Sequence, residues 1–311
     1  MILRRRSFFA ILFFLLLLTG CASAFKQATG FVLDIERQRA GLERKEIVLA
    51  DGLRYVYLEG GTGAPLMLLH GFGGNKDNFT RAVRYLTPHY RVIVADHIGF
   101  GESSRPTDID YTPAAQATRL RSLAQALGMG TIHLGGNSMG GHIALAYAAQ
   151  YPADVASLWL LDPAGVWSAP RSEVADMVIE TGHNPLIARS EDEFAQTFAL
   201  VMSDPPFVPR PVLNVLAQER IRNADLEERI FYKIATDSIE KRVSGLHTPT
   251  LIVWGEQDRV IHVSTADILH KLMPRSQVII MPQVGHMPML ERPAQSAKDY
   301  LKFRKALAGG D

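Results

Sequence analysis

Short apolar runs bounded by glycine and acidic turns recur along the chain, and between them the apolar positions shift to helical spacing. Six such runs are Pro65 to Leu69, Arg91 to Ala95, Thr131 to Gly135, Val155 to Leu161, Thr250 to Trp254 and Gln277 to Met281. Strands this apolar are buried on both faces, as in a parallel sheet covered by helices. Ahead of them, Glu46 to Leu49 and Leu53 to Leu58 flank Asp51-Gly52, a two-residue turn signal that predicts an antiparallel pair at the sheet edge. Thr112 to Leu127 carries Leu120, Leu123, Ala124 and Leu127 at i, i+3, i+4 and i+7 and stops at Gly128, which predicts an amphipathic helix. A second amphipathic helix is expected after Ser138 and a last one over Pro293 to Ala308. Between Asp162 and Thr248 some 80 residues hold no clear strand, only helical patterns such as Val174-Met177-Val178 and Phe194-Phe198-Val201, broken at Asp204-Pro205-Pro206 and Pro209-Arg210-Pro211. The pattern therefore predicts an α/β fold: a mostly parallel, eight-stranded sheet flanked by helices, with a long helical insertion after the sixth strand. Insertions of that length usually serve function.

The N-terminus stands outside this pattern. Arg4-Arg5-Arg6 precedes an unbroken apolar run from Phe8 to Leu18, closed by the small residues of Leu18-Thr19-Gly20-Cys21. Eleven apolar residues are too few to span a bilayer core of roughly 30 Å, which takes about 20, so the segment reads as an export signal. Leu-Thr-Gly-Cys resembles the bacterial lipobox, where cleavage precedes a cysteine that then carries lipid. Cys21 is the only cysteine, as expected of an exported protein with one lipidation site and no disulfide. Several acyl chains on one residue would anchor stably, where a single chain would not. Ala22 after the cysteine points to the outer membrane of a gram-negative bacterium. An uncleaved anchor extended through Ala22, Ala24 and Phe25 is the alternative. The expected organisation is a signal peptide over 1–20, a polar tether over 21–45 with Phe31, Ile35 and Leu42 at loosely helical spacing, and a catalytic domain over 46–311 that includes a cap over 163–247.

Charge changes the picture only by exclusion. Residues 1–20 hold three arginines and no acid, so removing them turns the formal net charge of +1 into −2. No basic patch remains to bind nucleic acid. Oligomeric state is not legible.

Candidate chemistry centres on Gly136-Asn137-Ser138-Met139-Gly140, set between a short strand and a helix. This is the context of a nucleophile elbow, a strained turn in which the positions two before and two after the serine must be glycine; Gly136 and Gly140 meet that need. After the strand Pro65 to Leu69 comes His70-Gly71-Phe72-Gly73-Gly74. Acyl transfer develops negative charge on a carbonyl oxygen, and two preorganised N–H groups stabilise it. In the elbow arrangement these come from the residue after the serine, Met139, and from this loop, where Phe72 is the candidate. His70 lies on the wrong side of Ser138 in the usual chain order and reads as a structural, hydrogen-bonded histidine. The loop lacks the lysine or glycine spacing of a phosphate cradle. The remaining histidines show no metal spacing, and no cofactor motif is present, so neither metal nor cofactor is expected.

Together, His70-Gly-Phe-Gly-Gly74, Asp96-His-Ile-Gly-Phe-Gly-Glu-Ser-Ser104 and Gly136-Asn-Ser-Met-Gly-Gly141 resemble the α/β-hydrolase superfamily over about Glu46 to Ala308. The resemblance implies a helical cap above the serine and makes Asp96 a structural acid that orders its loop. It also implies the triad Ser138, Asp258, His286, in the order nucleophile, acid, base, each at the C-terminal end of a different strand. His286 would take the proton of Ser138 and Asp258 would fix its tautomer. Glu256 in the same turn and Asp162 after the sixth strand are the competing acids. His142, four residues after the serine, is a candidate pocket residue.

The passages Leu69 to Asn78 and Asp162 to Ser168 are most similar to small bacterial esterases and lipases and to monoacylglycerol lipases. A cap carrying Met177, Phe194, Phe198, Met202 and Phe207 suits an acyl chain, although such residues also pack a cap's own core. The expected reaction is hydrolysis of lipid esters through an acyl-enzyme. Two alternatives stand beside it. One is a carbon–carbon bond hydrolase of ring-cleavage products, whose elbow also commonly reads Gly-Asn-Ser-Met-Gly-Gly, but which usually has tryptophan where this chain has Met287 and acts in the cytosol. The other is a catalytically silent lipoprotein that binds through its cap.

Overall fold

The computed structural model describes residues 25–309; the expected signal peptide and Cys21 lie outside the described residues. The described residues open with a helix over 25–39 (α1), then β1 (Leu42–Val48), β2 (Arg54–Gly60), β3 (Ala64–Leu69), α2 (Thr80–Val83), β4 (Tyr90–Ala95), α3 (Pro113–Ala126), β5 (Ile132–Asn137), α4 (Met139–Gln150) and β6 (Val155–Leu161). After β6 come α5 (Glu173–Thr181), α6 (Glu191–Leu200), α7 (Arg210–Ala235) and α8 (Glu240–Val243). The fold ends with β7 (Thr250–Gly255), α9 (Thr265–Leu272), β8 (Ser276–Met281), α10 (Pro288–Glu291) and α11 (Pro293–Ala308).

All eight strands form one sheet in the order β1-β2-β4-β3-β5-β6-β7-β8. β2 pairs antiparallel with both β1 and β4, and every other pairing is parallel. The period of two along each strand splits the core. Met67, Leu69, Leu158, Leu160 and Trp254 face one helical layer, while Leu66, Leu68, Trp159, Leu161 and Val253 face the other. That double burial is why these segments are apolar without a break.

Three expectations need correction. β1 starts at Leu42, inside the segment read as tether, because the charged run Glu43-Arg44-Lys45 lies exposed on an edge strand, where Lys45 pairs with Glu59 and Arg44 with Glu102. Upstream of it, α1 docks on the domain through Arg37, whose Nε and Nη2 each lie 2.7 Å from the Asp77 carboxylate. Finally, α4 is not amphipathic: Met139 to Ala148 are all buried, since the sheet, α3 and both ends of the insertion cover it together. No helix among the described residues is long and apolar enough to cross a membrane.

Candidate active site

Ser138 follows the last residue of β5 and caps α4 in a left-handed conformation, φ 53° and ψ −119°. Space explains the glycines beside it. A Cβ on Gly136 would lie 2.3 Å from the Gly140 carbonyl carbon, and one on Gly140 would lie 2.2 Å from the Leu69 oxygen. The strained turn is held by backbone bonds: Ser138 N–H donates to Leu161 O, and its carbonyl accepts from Ala164 N and His142 N, each at 3.0 Å.

Asp258 and His286 come from the turns after β7 and β8. His286 Nδ1 lies 2.7 Å from Asp258 Oδ2, while Asp258 Oδ1 accepts from the N–H groups of Val260 (2.8 Å) and Ile261 (3.0 Å). The carboxylate is fully buried, whereas Glu256 in the same turn is exposed. With Nδ1–H committed to Asp258, the other ring nitrogen carries the lone pair. That atom, Nε2, is buried and has no hydrogen-bond partner among the described residues. Ser138 and His286 line the same cavity.

The loop after β3 runs against the serine, where a Cβ on Gly71 would lie 3.3 Å from Ser138 Cβ. Its orientation is locked. Gly71 O accepts from His70 Nδ1 (2.8 Å) and Gly74 N (3.0 Å), so the Gly71–Phe72 peptide, which carries the Phe72 N–H on its opposite side, is held by two donors. His70 Nε2 in turn accepts from His97 N, which fixes the tautomer. Burial lowers the His70 pKa to about 3, so the ring stays neutral and keeps that arrangement. Met139 is the first residue of α4, and its N–H has no acceptor within the helix.

Asp96, expected to order its loop, accepts from Lys76 N, Lys76 Nζ and Glu102 N and is fully buried. His142 is buried behind the elbow, 2.8 Å from Asp237 Oδ2, and is absent from the cavity walls because α4 presents it to the start of the insertion, at Gly165.

Two cavities meet at Ser138, sharing Phe72, Leu186 and Val260. The larger, about 1020 Å³, has mixed walls that include Lys26, Arg37, Glu219, Phe194 and Phe198. The smaller, about 430 Å³, is apolar, walled by Val174, Ala175, Val178 and Ile179 of α5 together with Phe231 and Ile234 of α7. Met177 points off that face of α5, Met202 is buried outside both cavities, and Phe207 is 91% exposed, so three of the five apolar cap residues singled out from the sequence do not wall the site.

The roles of three residues of the site escaped the sequence reading. Asn137 Nδ2 donates to Leu161 O (3.1 Å) and His286 O (2.9 Å), bracing the serine turn against the histidine loop. Glu291 accepts from Gly285 N, Ser203 N and Asp204 N, joining the histidine loop to the insertion. Asp162, weighed only as a rival acid, is fully buried; Oδ1 accepts from Gly255 N (2.8 Å) and Oδ2 has no partner among the described residues. Asp162, Asp258 and His286 offer polar atoms within 4.8 Å of one another. Burial, and after it the neighbouring Asp258 charge, push the Asp162 pKa well above the carboxylate range.

Between the ordinary carboxylate pKa and this raised value, the folded state holds a proton that the unfolded chain has released, so stability falls as pH rises through that window. Asp162→Asn puts an uncharged amide beside Asp258. We expect it to retain ester turnover within about threefold and to melt higher than wild type at pH 8, with the gap closing as pH falls towards 4 (~4 being the ordinary carboxylate pKa). Melting curves and initial rates across that range check both.

A parallel-stranded sheet with a strained serine turn, a buried histidine–aspartate pair and a locked glycine loop at one sheet edge defines a class. The chain belongs to the alpha/beta hydrolase fold family, whose model matches residues 64–293. It is 45% identical to Lipase 1 of Psychrobacter immobilis over 99% of both chains. It is 31% identical to the monoacylglycerol lipase ABHD6 of Mus musculus, covering 79% of this chain and 77% of that one. Among solved structures it superposes on a membrane phospholipase A, described as a novel bacterial virulence factor, with a TM-score of 0.89 at 37% identity, over 96% of this chain and 99% of that one.

Proposed function

We propose that this protein is a serine hydrolase of lipid carboxylic esters, of lipase or monoacylglycerol lipase type, exported and held at the outer membrane by lipid on Cys21. Ser138 Oγ attacks the acyl carbonyl as His286 Nε2 takes its proton. The tetrahedral oxyanion is held by the N–H groups of Phe72 and Met139. His286 then returns the proton to the leaving alcohol, and water hydrolyses the acyl-enzyme through the same base. The observation that carries this reading is the shared cavity of Ser138 and the unpartnered His286 Nε2, opening on the apolar chamber beneath α5. That chamber takes the acyl chain. The similarity to two lipases and a phospholipase A supports a lipid substrate. Exposed Phe25, Phe31 and Val32 on α1, just downstream of Cys21, support a position at a membrane surface.

Carbon–carbon hydrolysis has less support, since position 287 beside the base is methionine and the N-terminus reads as an export signal. The purified protein should hydrolyse p-nitrophenyl esters and short or medium acylglycerols, and in cells Cys21→Ser should move it from the membrane to the soluble fraction. Absence of turnover across monoacylglycerols, triacylglycerols and phospholipids would overturn the ester reading; an unmoved Cys21→Ser protein would overturn lipid attachment alone.

A further inference from the structure

The glycine loop beside Ser138 is gripped from the insertion by a residue that no motif includes. Arg220 lies in the middle of α7, almost fully buried. Its Nε donates to both oxygens of Glu227 (2.9 and 2.8 Å), Nη1 to Gly73 O (3.0 Å) and Nη2 to Leu186 O (2.6 Å). The guanidinium carbon sits 5.6 Å from the centre of the Phe72 ring, which also meets Phe231 of α7 edge-on at 5.4 Å. Gly73 has φ +65°, and a Cβ there would lie 2.0 Å from the guanidinium. The loop and the arginine therefore fit each other with no room for a side chain between them.

A buried ion pair is a costly way to fill space, and apolar residues of similar volume often pack a core at least as well. What a guanidinium supplies instead is direction: planar N–H vectors that fix several acceptors at once. Here the acceptors belong to the loop after β3, the segment after α5 and α7 itself. Gly71 O is already locked from within the loop by His70 and Gly74; Gly73 O, two residues on, is locked from the cap.

We propose that Arg220 is a positioning residue that couples the seating of α7 to the oxyanion hole, holding the loop so that the Phe72 N–H points where the oxyanion forms. The proposal rests on the ester hydrolysis proposed above. Arg220→Lys keeps a cation for Glu227 but loses the planar fork. The double variant Arg220→Met with Glu227→Met leaves no orphaned buried charge, and Gly73→Ala disturbs the same contact from the loop side. Complete loss of one oxyanion donor lowers kcat by about 100- to 1000-fold, so a displaced donor should cost about 10- to 100-fold.

The expected result in all three variants is that fall in kcat on a p-nitrophenyl ester with KM within about threefold (loss confined to the transition state). Affinity for a trifluoromethyl ketone, which forms a tetrahedral adduct on the serine, should weaken by the same factor, while affinity for the product fatty acid stays unchanged. An unchanged kcat in the folded double variant would overturn the proposal, as would a raised KM with kcat intact, which would make Arg220 a substrate contact. A wild-type protein that turns over no ester overturns the function itself; a wild-type protein that does, beside unaltered variants, overturns only the role of Arg220.

Discussion

Ser138→Ala is expected to lower kcat for ester hydrolysis by about 10⁵- to 10⁶-fold while leaving the fold intact. The hydroxyl is the one group lost. The turn itself depends on backbone bonds from Ser138 N–H and to its carbonyl, and on Gly136 and Gly140, none of which the substitution touches. Alanine meets the same strain at φ 53° as serine does. The residual rate should reflect the donors at Phe72 and Met139 together with binding, and so stay above the uncatalysed reaction by about 10³-fold. Rates on a p-nitrophenyl ester, read beside unchanged melting temperature, separate this outcome from misfolding.

The second large effect is expected from Asp258→Asn, a change of one atom, with kcat falling about 10⁴-fold. Its geometry makes the direction definite. The N–H groups of Val260 and Ile261 both donate to Oδ1, so that position must remain an oxygen. The new amide nitrogen is therefore forced into the place of Oδ2, facing His286 Nδ1. A donor there demands a lone pair on Nδ1 and moves the ring proton to Nε2, the nitrogen that must accept from the serine. The base is present but holds its proton on the wrong side. The contrast with Asp162→Asn is sharp, since burial already disfavours charge on Asp162 and its Oδ2 accepts from no donor among the described residues. Rates for the two variants measured side by side, with KM near wild type in both, distinguish the triad acid from its neighbour.

How much of this was legible depended on the reach of each interaction. The central strands could be read because each is buried on both faces, and that requirement is written into consecutive residues. The elbow was readable for a similar reason: its glycines are demanded by atoms within a few residues or one strand away. Ser138, Asp258 and His286 were named through the resemblance to the α/β-hydrolase pattern, and they lie in the turns after β5, β7 and β8.

The supports of the site were not legible, because their partners are remote. Asn137 binds a carbonyl 149 positions away, and Arg220 one 147 positions away. No local pattern distinguishes such residues from surface amides and arginines. The long helix α7 went unread because much of its face is charged and the prolines at its start resemble a break, whereas Pro211 lies in its first turn, where a missing N–H costs nothing. β1 extends further than its composition suggests because an edge strand tolerates charge on its exposed positions. The raised pKa of Asp162 follows from its burial and from the charge of Asp258, 96 residues along the chain, neither of which a local pattern displays.

The proposed chemistry requires Ser138 to be a nucleophile activated in place. Treating the purified protein with a fluorophosphonate and mapping the adduct by mass spectrometry tests that most directly. One adduct per chain is expected, on the peptide that contains Ser138, and none in Ser138→Ala. An unlabelled wild-type protein, or an adduct on any other residue, would contradict it.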